Sequence, residues 1–293
     1  MKIATFEKKD IEKVGVFYGE KLIDIDLLSQ AMSYLLDRDF PIFFDIIDLI
    51  ADLENVKKLL QSGTKLFKGE FLKLFSVKNP VLAAPISRET KVICLGKNYA
   101  EHAKETGSKP PEEPIIFGKF TDCIIAHNNE IIYPSFATRI DPEVELAVVI
   151  GNQCKNVPVN AAMDHVFGYT IANDVTDRDT QSKDTSRSWP WFRSKNFDTS
   201  LPIGPWIISK DEIPDPHNLE IELSVNGKVR QKGNTKDMIF KIDYLVSFIS
   251  QYLTLYPGDI ILTGTIAGIA PIKRGDEIIC RIESIGELHN RVI

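Results

Sequence analysis

The sequence is poor in features that define several classes of protein. Cysteine is scarce, and the four residues are Cys94, Cys123, Cys154 and Cys280. Because they form no C-x-x-C pair, we expect buried, reduced thiols and neither a disulfide framework nor a zinc knuckle. No apolar run approaches the roughly 20 residues of a transmembrane helix, and the N-terminal segment lacks the apolar region of a signal peptide. These absences predict a cytoplasmic protein.

An excess of positive charge is also missing, since the formal net charge is -6. Binding to a polyanion depends on clustered lysine and arginine side chains, so we expect neither a nucleic-acid nor a membrane partner. A small anionic substrate is compatible with this charge, because it needs only a local cationic pocket.

The 293 residues suit one large domain with a small appendage. Residues 2–25 alternate apolar and polar side chains around Gly19, which predicts a short antiparallel hairpin. One amphipathic helix packed on that hairpin is predicted by helical spacing of Leu49, Ile50, Leu53, Val56, Leu59 and Leu60. Pro80, Pro85 and the polar residues after them indicate a connection near residue 88. We therefore expect a small N-terminal α/β domain at 1–88 and a larger domain at 89–293.

The remainder is dominated by strand patterns. One clear helix is predicted at 239–253, ended by Pro257-Gly258, and Asn226-Gly227 predicts a type I′ hairpin. Because the strands do not alternate regularly with helices, we expect an α+β, mostly β domain with an antiparallel or mixed sheet rather than a doubly wound one.

Three acidic residues form a candidate metal site. Glu143 and Glu145 are two residues apart on a predicted strand, so both carboxylates leave the same face. Asp174 follows an apolar run and offers a third carboxylate. Oxygen-only ligands select Mg²⁺, Mn²⁺ or Ca²⁺ over zinc. Taken separately, the two glutamates are compatible with a solvated edge strand, and the charged stretch 174–181 with a surface turn held by salt bridges.

Five blocks together resemble the fumarylacetoacetate hydrolase family in their order and spacing. They are G-K-N-Y-A-E-H-A-K-E at 96–105, D-P-E-V-E-L-A-V-V-I-G at 141–151, G-Y-T-I-A-N-D-V-T-D-R-D-T-Q at 168–181, S-K-N-F-D-T-S-L-P-I-G-P-W at 194–206 and L-Y-P-G-D-I-I-L-T-G-T at 255–265. The resemblance covers about residues 90–293 and implies that the domain at 89–293 is the catalytic one. It implies the family's mixed β-sandwich roll, a homodimer, and a divalent metal, Mg²⁺ with Mn²⁺ or Ca²⁺ as alternatives, bound by Glu143, Glu145 and Asp174.

His102 and Glu105 lie three residues apart in a predicted short helix and therefore share a face, as an acid/base pair or as a solvated pair. The resemblance implies that the pair lies on a lid over the metal and activates water. Gly107, Pro110 and Pro111 suit a segment that closes as a hinged flap.

Lys195 follows a stretch of arginine and tryptophan at 187–193 and can point outward or inward. The resemblance implies an inward catalytic lysine that stabilises developing oxyanion charge. The stretch itself is also compatible with a stacking surface for single-stranded nucleic acid, although the acidic chain offers no groove to follow the backbone.

Four further residues are candidates for substrate binding. Arg178 and Gln181 are suited to donate to a substrate carboxylate and carbonyl. Gly264 and Thr265 end a predicted strand, where a backbone N–H and a hydroxyl can hold the same carboxylate. Ordinary turn chemistry is the alternative for both pairs.

The resemblance implies chemistry through a metal-stabilised enolate of a small 2-oxo acid. Three reactions fit: hydrolysis of the C3–C4 bond of an acylpyruvate, decarboxylation of an oxaloacetate-like acid, and isomerisation of a 2-hydroxyhepta-2,4-diene-1,7-dioate-like acid. We favour hydrolysis, because His102 and Glu105 supply the base that water needs. A noncatalytic protein with structural Mg²⁺ is the alternative from another class. Phe120 and Ile266 stand where the family usually has proline, and we expect both near the pocket, where they bear on substrate identity.

Overall fold

The structure is a computed structural model that describes residues 1–87 and 89–293. The predicted domain boundary near residue 88 falls on the one residue outside the described chain. No helix in these two ranges is long and apolar enough to cross a membrane. All four cysteines are buried and free, as predicted.

Strands outnumber helices. The strands are β1 (Lys2–Lys8), β2 (Ile11–Tyr18), β3 (Lys21–Asp24), β4 (Val81–Ala83), β5 (Val92–Gly96), β6 (Ile115–Lys119), β7 (Ile124–Ile125), β8 (Glu130–Ile131), β9 (Ile140–Asp141), β10 (Val144–Ile150), β11 (Val166–Asn173), β12 (Thr176–Asp177), β13 (Leu201–Ser209), β14 (Glu220–Val225), β15 (Lys228–Asn234), β16 (Ile260–Thr265), β17 (Glu277–Ile282) and β18 (Gly286–Val292). The helices are α1 (Ile25–Leu36), α2 (Ile46–Ala51), α3 (Leu53–Phe67), α4 (Phe71–Phe75), α5 (Ala100–Glu105), α6 (Val159–Ala162), α7 (Arg178–Ser186), α8 (Phe192–Lys195) and α9 (Ile242–Tyr252).

The N-terminal residues form three antiparallel strands rather than one hairpin. The predicted turn at Gly19 is present, and a second turn at Lys9 and Asp10 joins β1 to β2 with both residues at positive φ. The predicted single helix is two, α2 and α3, because Asp52 leaves the helical conformation (φ -131°, ψ 39°). Aspartate competes for helical backbone groups with its own side chain, which favours such a break. Both helices pack on the strands, as predicted.

Two sheets dominate the described chain. The larger has the order β3-β2-β1-β13-β11-β10-β16-β5-β6, with β4 on β1 and β7 on β13, and the smaller has the order β15-β14-β17-β18-β8. Most pairs are antiparallel, and the parallel pairs are β13 with β7, β16 with β5 and β18 with β8. The prediction of a mostly β, mixed fold is therefore confirmed.

The largest apolar cluster lies between these two sheets and α9. Val144 and Leu146 on β10 belong to it. Because side chains alternate along a strand, Glu145 leaves the opposite face of β10. The core thus fixes the direction in which this acidic side chain points.

Two local predictions have different outcomes. Asn226 and Gly227 both have positive φ (51° and 73°) between β14 and β15, which confirms the type I′ turn. The predicted helix at 239–253 begins later, at Ile242, and ends at Tyr252. Pro257-Gly258 therefore does not end this helix and instead precedes β16, with Gly258 at φ 86°.

Candidate active site

Three buried carboxylates meet where β10 begins and β11 ends. Glu145 lies in β10 and Glu143 just before it, while Asp174 directly follows β11. The antiparallel register pairs Val144 with Asn173, and the Asp174 N–H donates to the Glu143 carbonyl at 2.9 Å. One carboxylate oxygen from each acid lies within 4.8 Å of those of the other two. The structure thus brings the predicted ligands together, and their role as ligands stays a prediction.

Lysine and arginine side chains surround two of these carboxylates. The Lys195 Nζ lies 2.8 Å from Glu143 Oε2 and 2.6 Å from Asp174 Oδ2. Arg178 Nη2 donates to Glu143 Oε1. Lys119, at the end of β6, donates to Asp174 Oδ1 at 2.9 Å. Lys195 therefore points inward, in agreement with the resemblance rather than with a surface position.

The charges of these groups depend on one another. Burial alone would raise the pKa of the Glu143 carboxyl, but Lys195 and Arg178 outweigh it and lower that pKa below its ordinary range. Burial would lower the pKa of the Lys195 ammonium, but Asp174 and Glu143 raise it. Glu145 behaves differently, because burial, reinforced by Asp174, raises its pKa well above the ordinary value. Glu143 and Lys195 are thus ionised near neutral pH.

Glu145 carries the strongest indication that this cluster binds a cation. Its Oε2 accepts the Gly264 N–H at 2.7 Å, and among the described residues no salt bridge reaches it. A buried carboxylate with so little compensation is costly unless it is protonated or binds a cation. Since all three acids offer hard oxygen ligands, the set fits Mg²⁺ or Mn²⁺.

The predicted acid/base pair is present on the short helix α5. His102 is buried, and its Nδ1 lies 3.4 Å from Glu105 Oε2. Both Glu105 oxygens accept the Gly268 N–H, at 3.1 and 3.2 Å, so the helix is tied to the loop after β16. Burial lowers the pKa of His102, although Glu143 opposes this. The neutral imidazole, the form that accepts a proton, is therefore favoured near neutral pH.

The start of this segment is anchored by Asn98, which sequence reasoning missed. Its Nδ2 donates to the Thr263 carbonyl at 2.8 Å, and its Oδ1 accepts the Phe240 N–H at 2.8 Å. Lys97 and Gly107 on either side of α5 both have positive φ (58° and 71°). The side-chain amide thus fixes the base of the predicted flap to β16 and to the segment before α9.

Most of the predicted substrate donors are already engaged with protein groups. Arg178 donates to Gln181 Oε1 as well as to Glu143. The Gly264 N–H is directed at Glu145, not at open space, which argues against its predicted contact with a substrate carboxylate. The Thr265 hydroxyl donates to the Val144 carbonyl at 2.8 Å. Arg178, Gln181 and Thr265 nevertheless line the cavity described next.

A cavity of about 640 Å³ opens over the carboxylates. Its wall includes His102, Glu105 and Lys195 together with Glu143 and Glu145, so the predicted base, the lysine and two of the predicted metal ligands face one space. Asp174 lies behind this wall, in contact with Lys195. Phe120 and Ile266 were expected near this pocket, and neither is among the described residues that line it. Phe120 directly follows β6, where its side chain is 57% exposed and packs on Phe192. Ile266 is buried against Gly233.

The stretch of arginine and tryptophan folds back on its neighbours. Arg187 lies over the Trp189 ring, 4.9 Å from its centroid, and Arg193 forms an ion pair with Asp184. Trp191 donates from Nε1 to the Thr185 hydroxyl at 2.9 Å and lines the cavity. That this surface binds no nucleic acid stays a prediction.

Comparison with known proteins gives a consistent result. The family model for the C-terminal region of fumarylacetoacetate (FAA) hydrolase matches residues 91–293. Human mitochondrial oxaloacetate tautomerase FAHD2A is 45% identical over 217 residues, which cover 72% of this chain and 68% of that protein. The crystal structure of 5-carboxymethyl-2-hydroxymuconate delta-isomerase from Mycobacterium smegmatis has a TM-score of 0.74 at 33% identity, covering 100% of this chain and 98% of the other. Fumarylpyruvate hydrolase from Pseudomonas aeruginosa, in complex with Mn²⁺ and pyruvate, has a TM-score of 0.68 at 34% identity, covering 74% and 92%. The chain belongs to the fumarylacetoacetate hydrolase family.

Proposed function

We propose that this protein is a divalent-metal-dependent enzyme that forms the enolate of a small 2-oxo acid, and that its reaction is keto–enol tautomerisation of an oxaloacetate-like dioate. The observation that carries the proposal is a cluster of three buried carboxylates, two of which line one cavity with the buried Lys195 and the largely neutral His102. Glu143, Glu145 and Asp174 would hold the cation. When bound, it would supply Lewis-acid polarisation of the 2-oxo group and counter-charge for its oxygen.

The side chains of this protein have separable tasks in that reaction. Lys195 is fixed by Glu143 and Asp174, so it can stabilise negative charge on the substrate without moving. His102 is held beside Glu105 and can carry a proton between C3 and solvent. Conversion of the enol to the ketone adds one proton at C3 and removes one from the enol oxygen, so no water nucleophile is needed. The 45% identity to an oxaloacetate tautomerase favours this reaction.

Hydrolysis of an acylpyruvate is the second candidate, and the Glu105 carboxylate favours it. Both of its oxygens are oriented by the Gly268 N–H, and one lies beside the His102 ring. In this reaction the pair takes a proton from water, the hydroxyl adds to C4, and the C3–C4 bond breaks. The products are a carboxylic acid and pyruvate, once C3 has gained a proton. The similarity to a fumarylpyruvate hydrolase supports this candidate.

A substrate panel with Mg²⁺ or Mn²⁺ separates the candidates. Tautomerisation is followed by the loss of enol absorbance of freshly dissolved oxaloacetate, hydrolysis by pyruvate release from an acylpyruvate, and decarboxylation by CO₂. An unsaturated 2-oxo dioate tests isomerisation. With metal, we expect the fastest enzymatic reaction with enol-oxaloacetate. After chelation of the metal, we expect no enzymatic reaction with it. Equal rates with and without metal would overturn the proposal, and dominant pyruvate release from the acylpyruvate would place hydrolysis first. A homodimeric assembly stays our expectation.

A further inference from the structure

We propose that Arg139 is a specificity-determining residue that binds the distal carboxylate of a 2-oxo dioate. This inference rests on the proposed function, because it assigns the end of the substrate that lies away from the metal-binding carboxylates. Arg139 immediately precedes β9 and lines the same cavity as Glu143 and Lys195. The sequence shows an arginine there but gives no sign of the direction it takes.

The Arg139 side chain is fixed by a buried acid. Its Nε and Nη2 each lie 3.0 Å from an oxygen of Asp141, which is fully buried. The same carboxylate accepts from Arg178 Nε at 2.9 Å, so one acid orients two guanidinium groups. The Arg178 N–H also donates to the Arg139 carbonyl at 3.0 Å. A cation held in this way binds a ligand with little loss of side-chain entropy.

The two arginines differ in what they have left to donate. Arg178 uses Nε, Nη1 and Nη2 for Asp141, Gln181 and Glu143. Arg139 uses Nε and Nη2 for Asp141, and its Nη1 makes no hydrogen bond within the described chain. Its side chain is 40% exposed, whereas that of Arg178 is 10% exposed. The guanidinium of Arg139 is therefore available to a carboxylate that enters the cavity, and its planar N–H groups match one.

The wall next to Arg139 is polar. Helix α7 begins beside it and turns Ser182, Thr185 and Ser186 toward the cavity, at positions that share one helical face. Apolar residues, among them Phe117 and Trp191, also line the cavity, and Trp191 contacts the Thr185 hydroxyl. A short acidic substituent beside Arg139 therefore has hydroxyls and a cation within the same wall.

Lys97 is the other cation in the cavity wall to consider. Its Nζ donates to the Ser108 hydroxyl at 2.7 Å and lies 5.6 Å from the centre of the Trp191 ring. These contacts engage its ammonium with Ser108, in the segment after α5, and with Trp191, just before α8. We therefore assign the distal carboxylate to Arg139, and recognition by Lys97 is an outcome that the test below can return.

The test is binding calorimetry with two ligands that cannot enolise, 3,3-difluoro-oxaloacetate and its 4-methyl ester, in the presence of Mg²⁺. They differ in the distal charge and in one methyl group. We expect the wild-type protein to bind the diacid about 10–100-fold more tightly than the ester, as charge-assisted hydrogen bonds imply. Arg139→Gln should lose that preference and keep its affinity for the ester. Lys97→Gln, which removes a charge from the same wall, should keep the preference.

Three results would overturn the inference. They are equal affinity of the wild type for the diacid and the ester, an equal loss of affinity for both ligands in Arg139→Gln, and a preference for the diacid that disappears in Lys97→Gln. Arg139→Lys covers the case in which the glutamine variant does not fold, because it keeps a cation on Asp141. It should still lower the preference at least about 3-fold, since lysine lacks the bidentate fork, and an unchanged ratio would count against Arg139. The ligands need no turnover. Suppose that the wild type converts no substrate of the panel and still binds the diacid more tightly than the ester, with the preference absent in Arg139→Gln. In that case the proposed reaction is wrong and the assignment of Arg139 survives.

Discussion

Replacing Lys195 by methionine should destabilise the metal-free protein strongly. The side chain is buried, and its ammonium contacts carboxylate oxygens of both Glu143 and Asp174. Methionine retains the apolar stem and removes the charge, which leaves Glu143 with Arg178 and Asp174 with Lys119 but no cation between the two acids. Breaking a buried ion pair on one side typically costs about 3–5 kcal/mol.

That loss translates into a measurable shift of Tm. An unfolding entropy of about 2.1 cal/mol/K per residue gives roughly 0.6 kcal/mol/K for a chain of 293 residues. The expected decrease in Tm is therefore about 5–8 °C in EDTA. Lys73→Met is the matched control, because Lys73 is 78% exposed and pairs with Glu70 at 2.9 Å. An exposed pair of this kind contributes at most about 0.5 kcal/mol, so its Tm should change by less than about 1 °C.

Added Mg²⁺ extends the same experiment. A ligand at 100 times its Kd stabilises the folded state by about 2.7 kcal/mol. In Lys195→Met a cation meets less positive charge near Glu143 and Asp174, so Mg²⁺ should raise the Tm of this variant by more than that of the wild type. Two results would refute the reasoning. One is a Tm of Lys195→Met in EDTA within about 1–2 °C of the wild type, a shift that corresponds to roughly 1 kcal/mol. The other is a variant whose Tm does not rise when Mg²⁺ is added.

Four further outcomes follow. Glu105→Gln should slow acylpyruvate cleavage by about 10²–10⁴-fold and leave Mg²⁺ affinity intact, as steady-state kinetics and calorimetry would show, and full retained cleavage would end its role in activating water. Asp174→Ala should abolish metal-dependent turnover and weaken Mn²⁺ binding in a titration, with the apolar core left folded. Metal affinity should rise with pH, because burial raises the Glu145 pKa and its proton must leave before it binds a cation, and a pH-independent Kd would contradict this. Limited proteolysis within residues 100–118 should slow when oxalate and Mg²⁺ are added, whereas equal cleavage would argue against a closing flap.

The sequence predicted the local features of the fold better than its connections. The turn at Asn226 follows from a short-range preference for positive φ, and it is present. The break at Asp52 was missed because the apolar spacing runs through both helices and says nothing about one residue that leaves the helical conformation. The pairing of Lys2 with Ile208, which joins β1 to the large sheet, joins residues far apart in the chain, and no local pattern encodes it.

The same distinction holds for the site. Glu143 and Glu145 were identified because alternation on a strand puts them together, and Asp174 because it ends an apolar run. Lys119 was missed as a partner of Asp174, since a lysine at a strand end is equally compatible with exposure. Asp141 was missed as the anchor of two arginines, because a buried acid has no sequence signal of its own.

A crystal of the protein soaked with Mn²⁺ and oxalate tests the central claim most directly. Anomalous scattering at the manganese edge locates the ion without reference to any mechanism. The account predicts one strong peak within bonding distance of carboxylate oxygens of Glu143, Glu145 and Asp174, with oxalate completing the coordination and lying next to Lys195. A peak at another place in the protein, or none at these three acids at saturating Mn²⁺, would contradict it.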